Sequence, residues 1–280
     1  MERVTLSGIS PDAFITQADK RALASLEKVP LLPAVLRKFS ELGLDRWLYC
    51  VNMAMSVRCG KRQYPTPYGI FVEACKVLDV PEPELYITNN PFPNAFAGGI
   101  ERPYVVIRSS MLDCLSNDQL YHLFGHELGH IKSGHMLYQM VGRLLIPLLQ
   151  AVGRRLPIVG DAAAIALLFA YYEWFRQAEL SCDRAGLLVS QNLECSLAAN
   201  LAMTAGPNRF SHEQNLEPFL DQARAYQEAT PLDQLGKIIL FFTMTWNFTH
   251  PMPVARAQQL EAWARSGEFE KILKGRYPRV

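Results

Sequence analysis

Five consecutive residues, His126-Glu127-Leu128-Gly129-His130, constrain this chain more than any other stretch. They lie in a segment of helical pattern, so the two histidines, four positions apart, stack on one helix face. Rings placed that way can converge on one Zn²⁺ ion, with the glutamate close enough to hold a proton of the water activated there. Any fold built around such a helix must bring a third ligand from elsewhere. It must also leave one coordination position open if the ion is to act in hydrolysis. Peptide hydrolysis is the first chemistry the pattern points to.

The surrounding sequence defines the helix. Ser116 and Gln119 form an S-x-x-Q capping box, and the helix is predicted to run to about Ser133. Leu120, Leu123, Phe124, Leu128 and Ile131 give it a core face; His126 and His130 flank that face, which predicts a metal at a cleft edge. Gly125 and Gly129 form a smooth strip that admits a second helix, or are simply tolerated at about 1 kcal/mol each against alanine. His122, one turn earlier, is too far along the helix to close a tetrahedral site and is expected to pack. His135 follows Gly134, where the helix is expected to end, and is assigned to capping exposed carbonyls.

The best third ligand is Glu179, in Glu179-Leu180-Ser181-Cys182-Asp183, within an otherwise apolar, small-residue segment. Asp183 is four residues on and shares its face, placed to accept the far N–H of a ligand histidine and fix its tautomer. Cys182 reads as a small buried thiol.

Length and composition set limits. The chain has 280 residues, enough for one large domain, with 49% hydrophobic and 20% charged residues. A net charge of +1 supplies no general field for nucleic acid or anionic lipid. Six scattered cysteines without a C-x-x-C pair read as reduced thiols. The first residues lack the pattern of a secretory signal. No apolar run reaches the roughly 18–20 residues of a membrane span. The nearest, Leu144–Gly153 and Ala162–Tyr172, are separated by Arg154, Arg155 and Asp161. They read as two buried core helices, with a hairpin lying on a membrane as the alternative. The expected location is cytoplasmic, with Leu144–Tyr172 as the place for peripheral membrane contact.

Along the chain, residues 1–80 are expected to form a helical N-terminal region, 81–267 a catalytic core and 268–280 a C-terminal tail of one peptidase domain. Three short strands, Leu85–Thr88, Asn94–Ala97 and Tyr104–Arg108, predict a small antiparallel sheet beside the His126–His130 helix. Further helices are expected at about Ala162–Gln191, Leu193–Thr204, Ser211–Glu228 and Leu232–Trp246. The loop Asn247–Pro253 then leads into an amphipathic helix ending near Ser266-Gly267. The fold class is α+β, mostly α.

With H-E-x-x-H at His126–His130, E-x-x-x-D at Glu179–Asp183, N-A-F-A at Asn94–Ala97 and H-P-x-x-x-x-R at His250–Arg256, the chain resembles the HtpX-like and CAAX-prenyl-protease-like zinc metallopeptidases of the gluzincin clan. The resemblance implies a zincin-like fold and one Zn²⁺ held by His126, His130 and Glu179. It also implies Glu127 as general base, His250 stabilising the oxyanion, and Arg256 orienting His250 or contacting the intermediate. Asn94, Ala95, Phe96 and Ala97 would pair, as an edge strand, with an extended peptide. The expected substrate is a peptide or unfolded protein, and no nucleic acid. The rival reading is a noncatalytic module in which the metal staples the helices and the cleft holds a peptide, chaperone-like. The intact Glu127 argues against it, since a structural site needs no base.

Overall fold

The computed structural model describes residues 3–29, 32–140, 142, 158–228 and 253–280. The expected helix at 232–246, residues 247–252 of the expected loop, with His250, and the apolar run at 144–153 lie outside the described residues. Among the described residues the helices are, in chain order, α1 (Gln17–Glu27), α2 (Leu32–Glu41), α3 (Leu44–Met55), α4 (Pro65–Leu78), α5 (Ser109–Cys114), α6 (Asn117–Lys132), α7 (Ile158–Ser190), α8 (Leu193–Ala205), α9 (Leu216–Gln227), α10 (Pro253–Arg265) and α11 (Glu268–Leu273). Among the described residues four strands, β1 (Val57–Arg58), β2 (Glu84–Thr88), β3 (Ala95–Gly98) and β4 (Tyr104–Arg108), form one sheet. No helix among the described residues is long and apolar enough to cross a membrane.

The ends of α6 follow from its sequence. Ser116 Oγ accepts from Gln119 N at 3.3 Å, and Gln119 Oε1 accepts from Ser116 N at 2.9 Å, closing the capping box. At the other end Gly134 takes a left-handed conformation, φ +71°. Its N–H bonds Ile131 O at 3.2 Å, and the N–H of His135 bonds His130 O at 3.1 Å. This paired closure satisfies the last carbonyls with backbone alone. His135 therefore caps the helix through its main-chain N–H.

The sheet corrects another expectation. Its order is β1–β2–β4–β3, with β2 and β4 parallel and the two outer pairs antiparallel. It is mixed, not antiparallel. Strand β4, buried from Tyr104 to Ile107, takes the interior position that suits a continuous apolar run. The small residues of β3 take the outside. The antiparallel β3–β4 pairing closes the sheet on one side, and β4 runs parallel to β2 on the other.

Helices α6 and α7 form the centre. The 33-residue α7 is about 50 Å long and packs along α6, with α1 and α10 also against it. The main core extends from Leu6 and Ile9 to Ile272, and a second cluster joins Leu26, Phe39, Met140, Tyr171 and Trp174. Residues 268–280, set apart as a tail from the sequence, contribute α11 with its buried Ile272, and a bridge from Arg279 to Ile9.

Candidate metal centre

His126 and His130 rise from one face of α6 with ring centroids 5.0 Å apart. Glu179 meets them from α7. Its Oε2 lies 3.4 Å from His126 Nε2, and its Oε1 lies 3.2 Å from His130 Nε2. A tetrahedral zinc ion, with bonds of about 2.0–2.2 Å, sets its donors about 3.3–3.5 Å apart. The three side chains thus already stand at nearly that spacing, and two imidazoles with one carboxylate are the donor set of a catalytic zinc site. These residues fit the ion. All three, and Glu127 between them, are buried. The predicted cleft edge is not where the ligands lie: α6 and α7 close on each other, and α10 covers the Asp183 side.

Small residues make that closeness possible. A Cβ on Gly125 would come within 2.6 Å of Val189 Cβ, and one on Gly129 within 2.7 Å of Ala185 Cβ. Across the interface, a Cβ on Gly186 would fall 2.6 Å from His122 Nδ1. The two helices therefore touch almost main chain to main chain, and His122 packs over a glycine as a buried residue, not a ligand. Burial lowers the His122 pKa to about 4, so it is neutral there.

Asp183, one turn after Glu179, holds the far side of His126: its Oδ1 is 3.0 Å from His126 Nδ1. Arg256 arrives from α10, donating Nε to Asp183 Oδ2 at 2.7 Å and Nη2 to Oδ1 at 2.5 Å. Its Nη1 lies 3.0 Å from Glu179 Oε2. Burial would lift the Asp183 pKa, but the Arg256 guanidinium outweighs it and holds the carboxyl below the usual range. Burial would likewise lower His126, yet Glu179 and Asp183 together push it up to about 9. At His130 burial outweighs the pull of Glu179 and keeps the pKa low.

Two contributors were not legible as such in the sequence. His135 turns inward: its Nδ1 is 3.2 Å from His130 Nδ1 and 3.7 Å from Cys182 Sγ. Its Nε2 is 3.5 Å from Oδ2 of Asp19, a buried carboxylate on α1. Cys182 is fully buried, and burial pushes its thiol pKa well up, as suits an inert core thiol. Of the other predicted residues, His250 lies outside the described residues. Arg256 places its guanidinium on Asp183 and Glu179. The segment Asn94–Ala97 overlaps β3, the outermost strand, which packs on α6. A cavity of about 210 Å³ opens between α1, α7 and α10, with Asp183 and Arg256 in its wall and none of the three ligands.

The model of Peptidase family M48 matches residues 70–264, which include every ligand named above. The chain is 30% identical, over 95% of its length and 76% of the relative's, to the plastoglobule-localized metallopeptidase 48, chloroplastic, of Arabidopsis thaliana. It is 28% identical to a protease HtpX homolog of Dictyoglomus turgidum, over 33% of this chain and 31% of the relative. A protease HtpX homolog 2 of Methanosarcina mazei is 30% identical over 29% of this chain and 28% of its own. No solved structure matches the chain. The α6–α7 pair, with its two histidines and facing glutamate, belongs to an HtpX-like metallopeptidase of peptidase family M48.

Proposed function

We propose that this protease is a zinc-dependent endopeptidase that cleaves unfolded or extended protein segments. The observation that carries the reading is the meeting of His126 Nε2 and His130 Nε2 on opposite oxygens of Glu179, at 3.4 and 3.2 Å, with Glu127 on the same helix. A zinc ion held by His126, His130 and Glu179 supplies a Lewis acid that polarises a carbonyl and makes water acidic near neutral pH.

The chain's own residues do the rest. The Glu127 carboxylate takes the proton from the attacking water and delivers it to the nitrogen of the departing amine. Asp183 keeps the His126 proton on Nδ1, leaving Nε2 free to bind the ion. Arg256 holds Asp183 and Glu179 in place. His250 supplies a second stabiliser for the oxyanion, a role supported by the family pattern H-P-x-x-x-x-R. Residues 94–97 offer backbone pairing to an extended substrate, which gives affinity with little sequence preference. The plastoglobule name of one relative and the apolar runs within Leu144–Tyr172 support a peripheral contact with a lipid surface.

Cleavage of casein or a labelled peptide by the wild type and by Glu127→Gln tests the mechanism. The variant is expected to keep its zinc and lose about 10²–10⁴-fold in turnover. Equal activity in the two proteins refutes the role given to Glu127.

A further inference from the structure

Behind His130, three buried groups from three separate segments stand in a row. His130 Nε2 faces Glu179, while its Nδ1 lies 3.2 Å from Nδ1 of His135. His135 Nε2 then lies 3.5 Å from Asp19 Oδ2. None of the three is more than 2% exposed. Asp19 is held from two sides: its N–H donates to Thr16 Oγ1 at 2.9 Å, and Ser181 Oγ donates to its Oδ2 at 2.6 Å. Thr16 N donates in turn to Ser181 Oγ at 3.0 Å, so the start of α1 is tied to α7 two residues past Glu179.

The chemistry of imidazole dictates each tautomer in this row. A neutral ring that binds a cation through Nε2 carries its proton on Nδ1. The His130 proton therefore points at His135 Nδ1, which must be an acceptor. The His135 proton then sits on Nε2, directed at the Asp19 carboxylate. The Gln139 amide nitrogen also lies 3.0 Å from His130 Nδ1. Amide orientation is an assignment, and the opposite orientation presents Gln139 Oε1 as a second acceptor for the same proton. His126 Nδ1 is oriented by direct contact with Asp183; His130 Nδ1 is linked to a carboxylate through a second imidazole.

We propose that His135 and Asp19 are positioning residues that hold His130 in its Nε2-binding tautomer and orientation. Helix α1, upstream of the part matched by the family model, thereby completes the metal centre. The inference rests on the metal-binding reading of His126, His130 and Glu179.

The test measures zinc dissociation constants of the full chain by chelator competition, with thermal unfolding of the metal-free protein alongside. His135→Leu removes the acceptor and is expected to weaken zinc binding about 10–100-fold. His135→Asn places an amide oxygen near the former Nδ1 position and is expected to recover most of that loss. Asp19→Asn, which weakens the acceptor for His135, is expected to fall between them. A His135→Leu protein that binds zinc as tightly as wild type overturns the proposal. So does a His135→Asn protein as weak as His135→Leu, which would assign the ring to packing alone. Wild-type chain that takes up no zinc removes the underlying metal reading, and this proposal with it.

Discussion

Arg256 Nη1 lies 3.0 Å from Glu179 Oε2, the oxygen that faces His126. A guanidinium so close to a ligand carboxylate balances charge in a buried centre. With a divalent ion bound, Arg256 and the ion match Glu127, Glu179 and Asp183. Arg256→Ala leaves one negative charge of the buried centre uncompensated and is expected to destabilise the protein by about 3–5 kcal/mol in denaturant unfolding. Arg256→Lys keeps the charge, loses the fork that grips both oxygens of Asp183, and recovers only part of this. A wild-type midpoint for Arg256→Ala would contradict the balancing role.

Contact between α6 and α7 makes Gly129 intolerant of a side chain, since its Cβ would meet Ala185 Cβ at 2.7 Å. Gly129→Ala is expected to cost about 1–3 kcal/mol through overpacking. Adding Ala185→Gly removes the opposing methyl, and the double variant should regain most of the stability. Strict additivity of the two single effects would show that the residues do not meet.

Asp19 gives a pH dependence of known sign. Burial raises its pKa from 3.8 to about 6, so between those values the folded protein binds more protons than the unfolded chain. Stability from this group is greatest below pH 3.8 and is lost as pH rises through about 6. Asp19→Asn removes the cost of holding a buried anion. Metal-free Asp19→Asn is therefore expected to melt higher than wild type at pH 7, even as its zinc affinity falls. A lower melting temperature at pH 7 contradicts the desolvation argument.

His126 acts in the opposite pH range. In the metal-free protein its pKa is raised to about 9, against an ordinary 6.5. The stability it confers is present below pH 6.5 and fades as pH rises through about 9. Zinc has to displace that proton, so uptake near pH 7.5 is expected to release about one proton and to tighten with rising pH. Calorimetry in two buffers of different ionisation heat measures it; uptake without proton release would contradict the protonated His126.

Local patterns carried a large part of this architecture in the sequence. The Ser116/Gln119 box and the apolar spacing mark α6 because every group involved lies within a few residues. Glu179 and Asp183 were legible as a pair through their spacing on one helix face. The direction of β4 relative to β2 was not, since strand order depends on which strand occupies the interior and not on any one strand's composition. Two-residue β1 is too short to leave a periodicity. The link from His130 through His135 to Asp19 joins a loop, α6 and an N-terminal helix far apart in the chain, and no spacing rule reaches across such distances. His135 was visible only as a histidine after a helix-ending glycine, a setting that points outward to carbonyls as readily as inward.

The glycine contacts between α6 and α7 bear on how the centre is spaced. Since the distance from the two histidines to Glu179 follows from backbone touching backbone, any side chain that wedges the two rods apart also spreads the three donor atoms. The smallest residues in the molecule thus set the width of its most chemically demanding gap.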